Sequence, residues 1–197
     1  MINWIIRKIN GIIHRCIFFS YTITEKIYLK SIGIKCGEKT KFRGWTSFFY
    51  VTGSTISIGK KCRFNSSEYT NHIGLNHRCI ICTYSPNAVI KIADETGMSS
   101  TTINCWDTIS IGQRVRIGAN CVIMDSDFHI DDSRVGSPKP IFIDDDVWLG
   151  ANVVVMKGVH IGHNSVIGMN SVVTKDIPAD CVAAGNPCKV IRFLNHD

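Results

Sequence analysis

The sequence predicts an all-β chain wound into stacked short coils, a parallel β-helix with one N-terminal amphipathic helix and one extruded loop. Three observations predict it: an aliphatic beat of six residues, a helical beat confined to the first thirty, and a polar interruption between Ile123 and Ile143. Six is not a multiple of 3.6, so a helix would scatter the repeating residues around its circumference. A short strand and a turn in every six residues instead keeps them on one inward face. Stacking such turns is the solution that hexapeptide repeats adopt, and each coil then covers its neighbour's apolar edge.

The helical segment comes first. In MINWIIRKINGIIHRCIFFSYTITEKIYLK the residues Ile2, Ile5, Ile6, Ile9, Ile12, Ile13, Cys16 and Ile17 recur at helical spacing. Arg7, Lys8, His14 and Arg15 interrupt them, so no run approaches the roughly 20 apolar residues that span a bilayer. No small-residue cleavage site follows a clean apolar core, which argues against a signal peptide. Residues 1–30 therefore read as an amphipathic helix that either packs on its own domain or meets an anionic membrane surface through residues 1–20.

The six-residue beat then runs through Ile58 and Phe64 with Cys62 between, and through Ile92 and Met98 with Thr96 and Thr102 at the fourth offset. It continues through Ile111, Ile117 and Ile123 with Val115 and Cys121. It is cleanest at Ile143, Leu149, Val155, Ile161, Ile167 and Val173, whose fourth-offset partners are Val147, Val153, Val159, Ser165, Ser171 and Ile177. The coil domain is expected over residues 31–192, with a tail at 193–197.

Between Ile123 and Ile143 the beat fails. DSDFHIDDSRVGSPKPIF is polar, holds two prolines and cannot continue an apolar ladder, so it reads as a loop extruded from the stack. Asp125, Asp127 and His129 alternate at period two and would share one side of an extended segment. A carboxylate beside an imidazole holds its tautomer and stabilises the protonated ring, and histidine's ordinary pKa of about 6.5 suits proton abstraction near neutrality. His129 is the candidate general base and Asp127 its partner; an exposed histidine in an acidic turn is the alternative. A one-residue slip separates the Met98 beat from Ile111, and a bulge in INCWDTI, residues 103–109, would re-aim Asn104, Trp106 and Asp107. Asn and Asp suit vicinal hydroxyls and Trp106 an apolar sugar face, although turn chemistry accounts for the same residues.

Composition narrows the classes. Of 197 residues 45% are hydrophobic and 19% charged, which describes one globular domain rather than a disordered chain. The net charge of +6 favours anionic partners without choosing among them. Nine cysteines without dense spacing read as reduced thiols in a cytoplasmic protein. Cys79-x-x-Cys82 lacks a second pair, and His72 and His77 offer a five-residue spacing across a broken hexad, so no metal is expected.

Residues 141–192 resemble the C-terminal half of the left-handed β-helix hexapeptide acyltransferases, specifically in VWLGANV, SVVTKDIP and AGNP. The likeness extends back through GMSSTTINCWDTISIG and DSDFH, covers about residues 50–192, and is greatest to the maltose and galactoside O-acetyltransferases and to those of capsule and O-antigen assembly. The resemblance implies the left hand, a homotrimer with sites between adjacent prisms, and acetyl-CoA as acyl donor with no metal and no nucleic acid. It implies His129 deprotonating an acceptor hydroxyl of a sugar or lipid-linked saccharide, at the inner face of the membrane or free in the cytoplasm. By position it implies Trp148, Gly150 and Ala151 along the pantetheine arm, Met169 where the family carries alanine, Thr174 and Lys175 near the coenzyme, and Lys189 and Arg192 at its phosphates. For the acceptor it points to the coil of Asp107, followed by Ser99 and Asn104. An N-acetyltransferase on an amino-sugar nucleotide, a serine O-acetyltransferase and a non-catalytic scaffold remain the alternatives.

Overall fold

The structure, a computed structural model, describes residues 2–129 and 131–194, with side chains from residue 11 onward. Each coil lays one strand on each of three sheets. The first sheet stacks Lys35–Cys36, Thr55–Ile58, Val89–Ile92, Thr108–Ile111, Ile141–Ile143 and His160–Ile161. The second stacks Lys41–Arg43, Arg63–Asn65, Gly97–Ser99, Arg116–Ala119, Trp148–Leu149, Val166–Ile167 and Cys181–Ala184, and Lys189–Phe193 returns antiparallel at its end. The third stacks Ser47–Phe49, Ile80–Thr83, Thr102–Cys105, Val122–Met124, Val154–Val155 and Val172–Val173. All other pairings are parallel, and the sheets close into a left-handed β-helix.

The ladder is inward as the spacing requires: Ile143, Leu149, Val155, Ile161, Ile167 and Val173 are buried, and so are their fourth-offset partners from Val147 to Ile177. Fully burying each such aliphatic side chain stabilises by about 1.5–3 kcal/mol, so the stack holds as a cooperative unit. Ser165 and Ser171 are also buried, and their hydroxyls donate to the carbonyls of Pro178 and Gly168 at 2.7 and 2.6 Å. Corner residues Asn152, Asn164 and Asn170 take the left-handed backbone at φ 58°, 56° and 59°, a conformation asparagine tolerates better than most residues.

The expected slip resolves into two: the step from Met98 to the next inward residue, Ile103, is one residue short, and the step from Ile103 to Ile111 is two residues over six, so the excess falls within residues 103–109 as expected, at the corner of Trp106 and Asp107. The shortening shows where Ile117 and Ala119 face Met98 and Ser99, one corner before that excess. Met98 is followed by an inward Ile103 after five residues, so Thr101 rather than Thr102 is the buried fourth-offset residue. Ser100 turns this shortened corner at φ 46°. The strand Thr102–Cys105 is consequently regular, with Asn104 in register between Cys82 and Met124.

A helix, Ile2–Ser31, caps the open end of the stack. The first coil has no preceding coil, so its backbone polar groups need other partners. Thr22 supplies its hydroxyl to the Phe42 N–H at 3.0 Å, and the buried Glu25 carboxylate accepts the Thr46 N–H at 3.2 Å. Leu29 is fully buried beside them. The packed face is thus Phe18, Thr22, Glu25 and Leu29, whereas Ile12, Ile13, Cys16 and Ile17 of the expected apolar stripe are exposed.

Burial raises the Glu25 carboxyl from 4.5 to about 7, against the opposing pull of the Thr46 N–H and the Arg78 charge. The native state then holds a proton that the unfolded chain has lost, so this contribution is complete below about 4.5 and disappears as pH rises through about 7. Glu25→Gln is expected to flatten the fall in stability across that window and to raise the melting temperature at pH 7.5 by roughly 4–8 °C, corresponding to about 2 kcal/mol. Melting curves at pH 5 and 7.5 check this; an unchanged pH slope in the variant would exclude Glu25 as its source.

A second excursion, residues 66–79, leaves the stack between Arg63–Asn65 and Ile80–Thr83 and contains the short 3₁₀ turn Glu68–Thr70. It was not expected as a loop, although the break around His72 marks it. It is tied down where Asn120 accepts the Asn76 N–H at 2.9 Å and donates to the Gly74 carbonyl at 3.0 Å. His77 Nδ1 lies 2.6 Å from the Arg78 carbonyl. All nine cysteines are free, and among the described residues no group of three or more His, Cys, Asp or Glu converges on a metal-sized site.

Candidate active site

Residues 125–140 leave the stack after Val122–Met124, at the corner joining the third sheet to the first, and the chain re-enters at Ile141–Ile143. The neck is closed by the Lys139 N–H donating to the Asp125 carbonyl at 2.9 Å. Asp125 turns inward: fully buried, its carboxylate accepts the N–H groups of Trp106 at 2.7 Å and Asp107 at 2.8 Å, with the Cys105 thiol at 3.3 Å. Burial pushes its carboxyl up while the three donors pull it down. The same burial, with the Asp125 charge beside it, pushes the Cys105 thiol above the ordinary thiol range.

The extended alternation expected for Asp125, Asp127 and His129 does not hold. Phe128 adopts φ 67°, its N–H bonded to the Ser126 hydroxyl at 2.9 Å, and the His129 N–H donates to the Asp127 carbonyl at 2.9 Å. This turn separates three roles. Asp125 anchors the neck, Asp127 forms an ion pair with Lys157 at 2.5 Å, and His129 stands exposed. Among the described residues no hydrogen bond or ion pair joins the Asp127 carboxylate to the His129 ring.

Lys157, which sequence reasoning missed, also donates to the Gly136 carbonyl at 2.8 Å, so a single ammonium clasps both limbs of the loop. Its signal was a lysine at a corner of the cleanest hexads, directly facing the interruption. An aromatic ledge supports the other side: Phe49, Tyr84 and Trp106 follow one another up the corner, with Tyr84 stacked on Trp106 at 5.4 Å and Phe128 edge-on to Tyr84 at 5.2 Å. The Trp106 indole N–H is buried and has no acceptor among the described residues.

The remaining candidates fall into two groups. Asp107 is exposed at the loop corner, where its N–H is held by Asp125 and its carboxylate accepts the Thr108 hydroxyl at 3.1 Å. Asn104 lies nearly buried on the third sheet, and Ser99 is buried at the opposite corner, accepting from the Asn65 amide at 3.0 Å. Of the three acceptor candidates, only Asp107 is brought beside the loop and open to solvent.

Trp148, 52% exposed, stands on the second sheet between Arg116 and Val166 and borders a hollow of about 520 Å³ with Arg114, Asp146 and Asn164. Gly150, Ala151 and Met169 follow at the corner joining the second and third sheets, where a Cβ on Gly150 would meet the Met169 nitrogen at 2.6 Å, so only glycine lets the coils approach. Met169 is exposed, and Lys189 and Arg192 are exposed on the terminal strand of the second sheet. Thr174 and Lys175 lie at the other corner, in register one coil beyond Lys157.

Within one chain the third sheet therefore separates the His129 corner from the Trp148, Gly150 and Met169 side. A strand of four residues spans roughly 13 Å, far beyond hydrogen-bonding reach.

Comparison with known proteins accords with this architecture. Residues 140–175 match the family model described as bacterial transferase hexapeptide (six repeats), and residues 108–126 match the hexapeptide repeat of succinyl-transferase. A galactoside O-acetyltransferase of Lactococcus lactis is 37% identical over 142 residues, covering 70% of this chain and 63% of its own length. A Staphylococcus aureus (strain COL) protein provisionally named as an acetyltransferase is 45% identical over 153 residues, covering 62% of this chain and 77% of its own. Among solved structures, a hexapeptide-repeat-containing acetyltransferase of Vibrio cholerae O1 biovar eltor, in complex with acetyl coenzyme A, superposes with a TM-score of 0.54 at 25% identity. That superposition covers 93% of this chain and 86% of the other.

Proposed function

Because this chain belongs to the hexapeptide-repeat transferases, with acetyltransferases among its relatives, we propose that it transfers an acetyl group from acetyl-CoA to a sugar hydroxyl, with His129 as general base. The acceptor is a saccharide of a bacterial surface polysaccharide or its lipid-linked precursor. The observation that carries this reading is the presentation of His129: an exposed imidazole on a loop clasped from both limbs by Lys157 and anchored at its neck by Asp125.

The residues present suit the donor. An exposed indole at Trp148 covers an apolar arm, and Lys175, Lys189 and Arg192 offer cations to its phosphates. Acetyl-CoA supplies a thioester already activated for attack. His129 accepts the proton of the acceptor hydroxyl as that oxygen bonds to the thioester carbon, and backbone N–H groups of the cleft stabilise the resulting oxyanion. Collapse breaks the carbon–sulfur bond, the imidazolium returns its proton to the departing thiolate, and the sugar ester and free thiol leave. The charge at Asp127 acts through Lys157 on loop position rather than on the ring. The separation of the two corners supports a homotrimer, in which His129 of one prism meets the Trp148 side of its neighbour.

The test is thiol release from acetyl-CoA with a panel of mono- and oligosaccharide acceptors. Turnover on a sugar supports the proposal, whereas a protein that neither binds acetyl-CoA in a calorimeter nor releases thiol removes it. Lys157→Met is expected to lower kcat about 10–100-fold with little change in the KM for acetyl-CoA, because loosening the loop misplaces the base by an ångström or so. Lys157→Arg should recover part of the rate. Equal loss in both variants, or a change confined to KM, would contradict a positioning role.

A further inference from the structure

The helix that caps the stack has two faces. Phe18, Thr22, Glu25 and Leu29 pack on the first coil, so residues half a turn away must point outward along the prism axis. That outward face is apolar: Ile12, Cys16, Phe19, Ile23 and Ile27 succeed one another at steps of three or four, and Phe19 and Ile27 are 67% and 64% exposed. Beside it a crevice of about 390 Å³ opens between helix and coil, walled by Phe18 and Phe19 and by five cations, Arg15, Lys26, Lys39, Lys41 and Arg43, with no acid in its lining. Lys30 closes the helix on the same side.

The charge of the chain is gathered at this end. Of its 22 Lys and Arg and 16 Asp and Glu, residues 1–63 hold 12 and 2, leaving residues 64–197 with 10 and 14. Of the two acids, Glu25 is buried under the helix and Glu38 lies at the turn beside Lys39. No described helix is long and apolar enough to cross a membrane.

We infer that this end of the prism docks on an anionic lipid bilayer, the outward helix stripe entering the headgroup and acyl boundary while the crevice cations meet lipid phosphates. An apolar stripe with flanking Lys and Arg is the pattern of a helix lying in the interface plane, and charge complementarity selects an anionic surface over a neutral one. The stack stands upright on such a surface, since the helix covers its end and leaves the three sheets and the His129 corner clear. The inference rests on the helix and first coil alone and does not depend on the acyl acceptor.

Co-sedimentation of the full chain with vesicles of phosphatidylglycerol and phosphatidylethanolamine, against vesicles of phosphatidylcholine alone, tests it. Two variants accompany the wild type: Lys39→Glu with Lys41→Glu and Arg43→Glu, and Phe19→Ser with Ile23→Ser and Ile27→Ser, all at exposed or half-exposed positions that leave the packed face intact. The wild type should partition to the anionic vesicles and not to the neutral ones, and binding should weaken as salt is raised. The charge variant should lose at least about a hundredfold in partitioning, from roughly fivefold per basic residue near the surface, and the apolar variant should lose binding as well. A wild type that stays in the supernatant, or variants that bind as it does, would overturn the inference. It would equally be overturned if the apolar variant kept its vesicle binding but showed a smaller mass by sedimentation equilibrium, for the stripe would then be an interface between copies.

Discussion

His129→Ala is expected to lower kcat for sugar acetylation by about 10²–10⁴, the usual worth of a positioned general base, while the affinity for acetyl-CoA stays unchanged. The two effects separate because His129 acts on the acceptor hydroxyl, whereas the coenzyme's arm and phosphates are offered other groups, the exposed Trp148 indole and the cations Lys189 and Arg192. The ring bears no packing burden among the described contacts, so the variant should melt with the wild type. Single-turnover thiol release together with calorimetric binding of acetyl-CoA measures both quantities. A fall of less than about threefold would remove the base from the mechanism, since general-base catalysis contributes far more. It would point instead to an acceptor that attacks unaided, as a free amine does.

Asp125→Ala is expected to have the largest effect on stability, about 2–5 kcal/mol, or a melting temperature lower by roughly 4–20 °C. The carboxylate is the acceptor for two N–H groups, those of Trp106 and Asp107, and each buried donor left without a partner costs about 1–3 kcal/mol. Water entering the cavity would recover some of this, which sets the lower end of the range. The loss reaches the site through the chain, because the same residue's carbonyl receives the Lys139 N–H that closes the loop neck. Faster proteolytic nicking within residues 125–140 and a reduced kcat should accompany the lower melting temperature. Asp125→Asn keeps one acceptor oxygen and should fall between; a variant melting within a degree of wild type would show that the buried carboxylate is dispensable.

The inward ladder was legible because its cause is local and periodic. Any residue that recurs every six positions from Ile143 to Val173 must share a face, and a face of aliphatics must be covered, so strand, turn and stack follow from spacing alone. The extruded loop was legible for the converse reason, since DSDFHIDDSR holds nothing with which to fill a prism. The excursion at residues 66–79 was harder to see because the surrounding beat is already irregular there, and the apparent one-residue slip combined a shortening between Met98 and Ile103 with two extra residues in 103–109. A count of residues detects a slip but does not say which corner absorbs it.

Spacing and composition alone thus settle which side chains point inward, where the ladder breaks, and that His129 rides on the break. The partners emerge only on folding: Asp125 turned inward to hold the Trp106 and Asp107 turn, Asp127 drawn to Lys157 thirty residues away, and a helix whose packed face is not its most apolar one. Each of these choices satisfies a buried N–H, a charge or an open sheet edge contributed by a distant coil, and a demand of that kind comes into existence only once the coils are stacked.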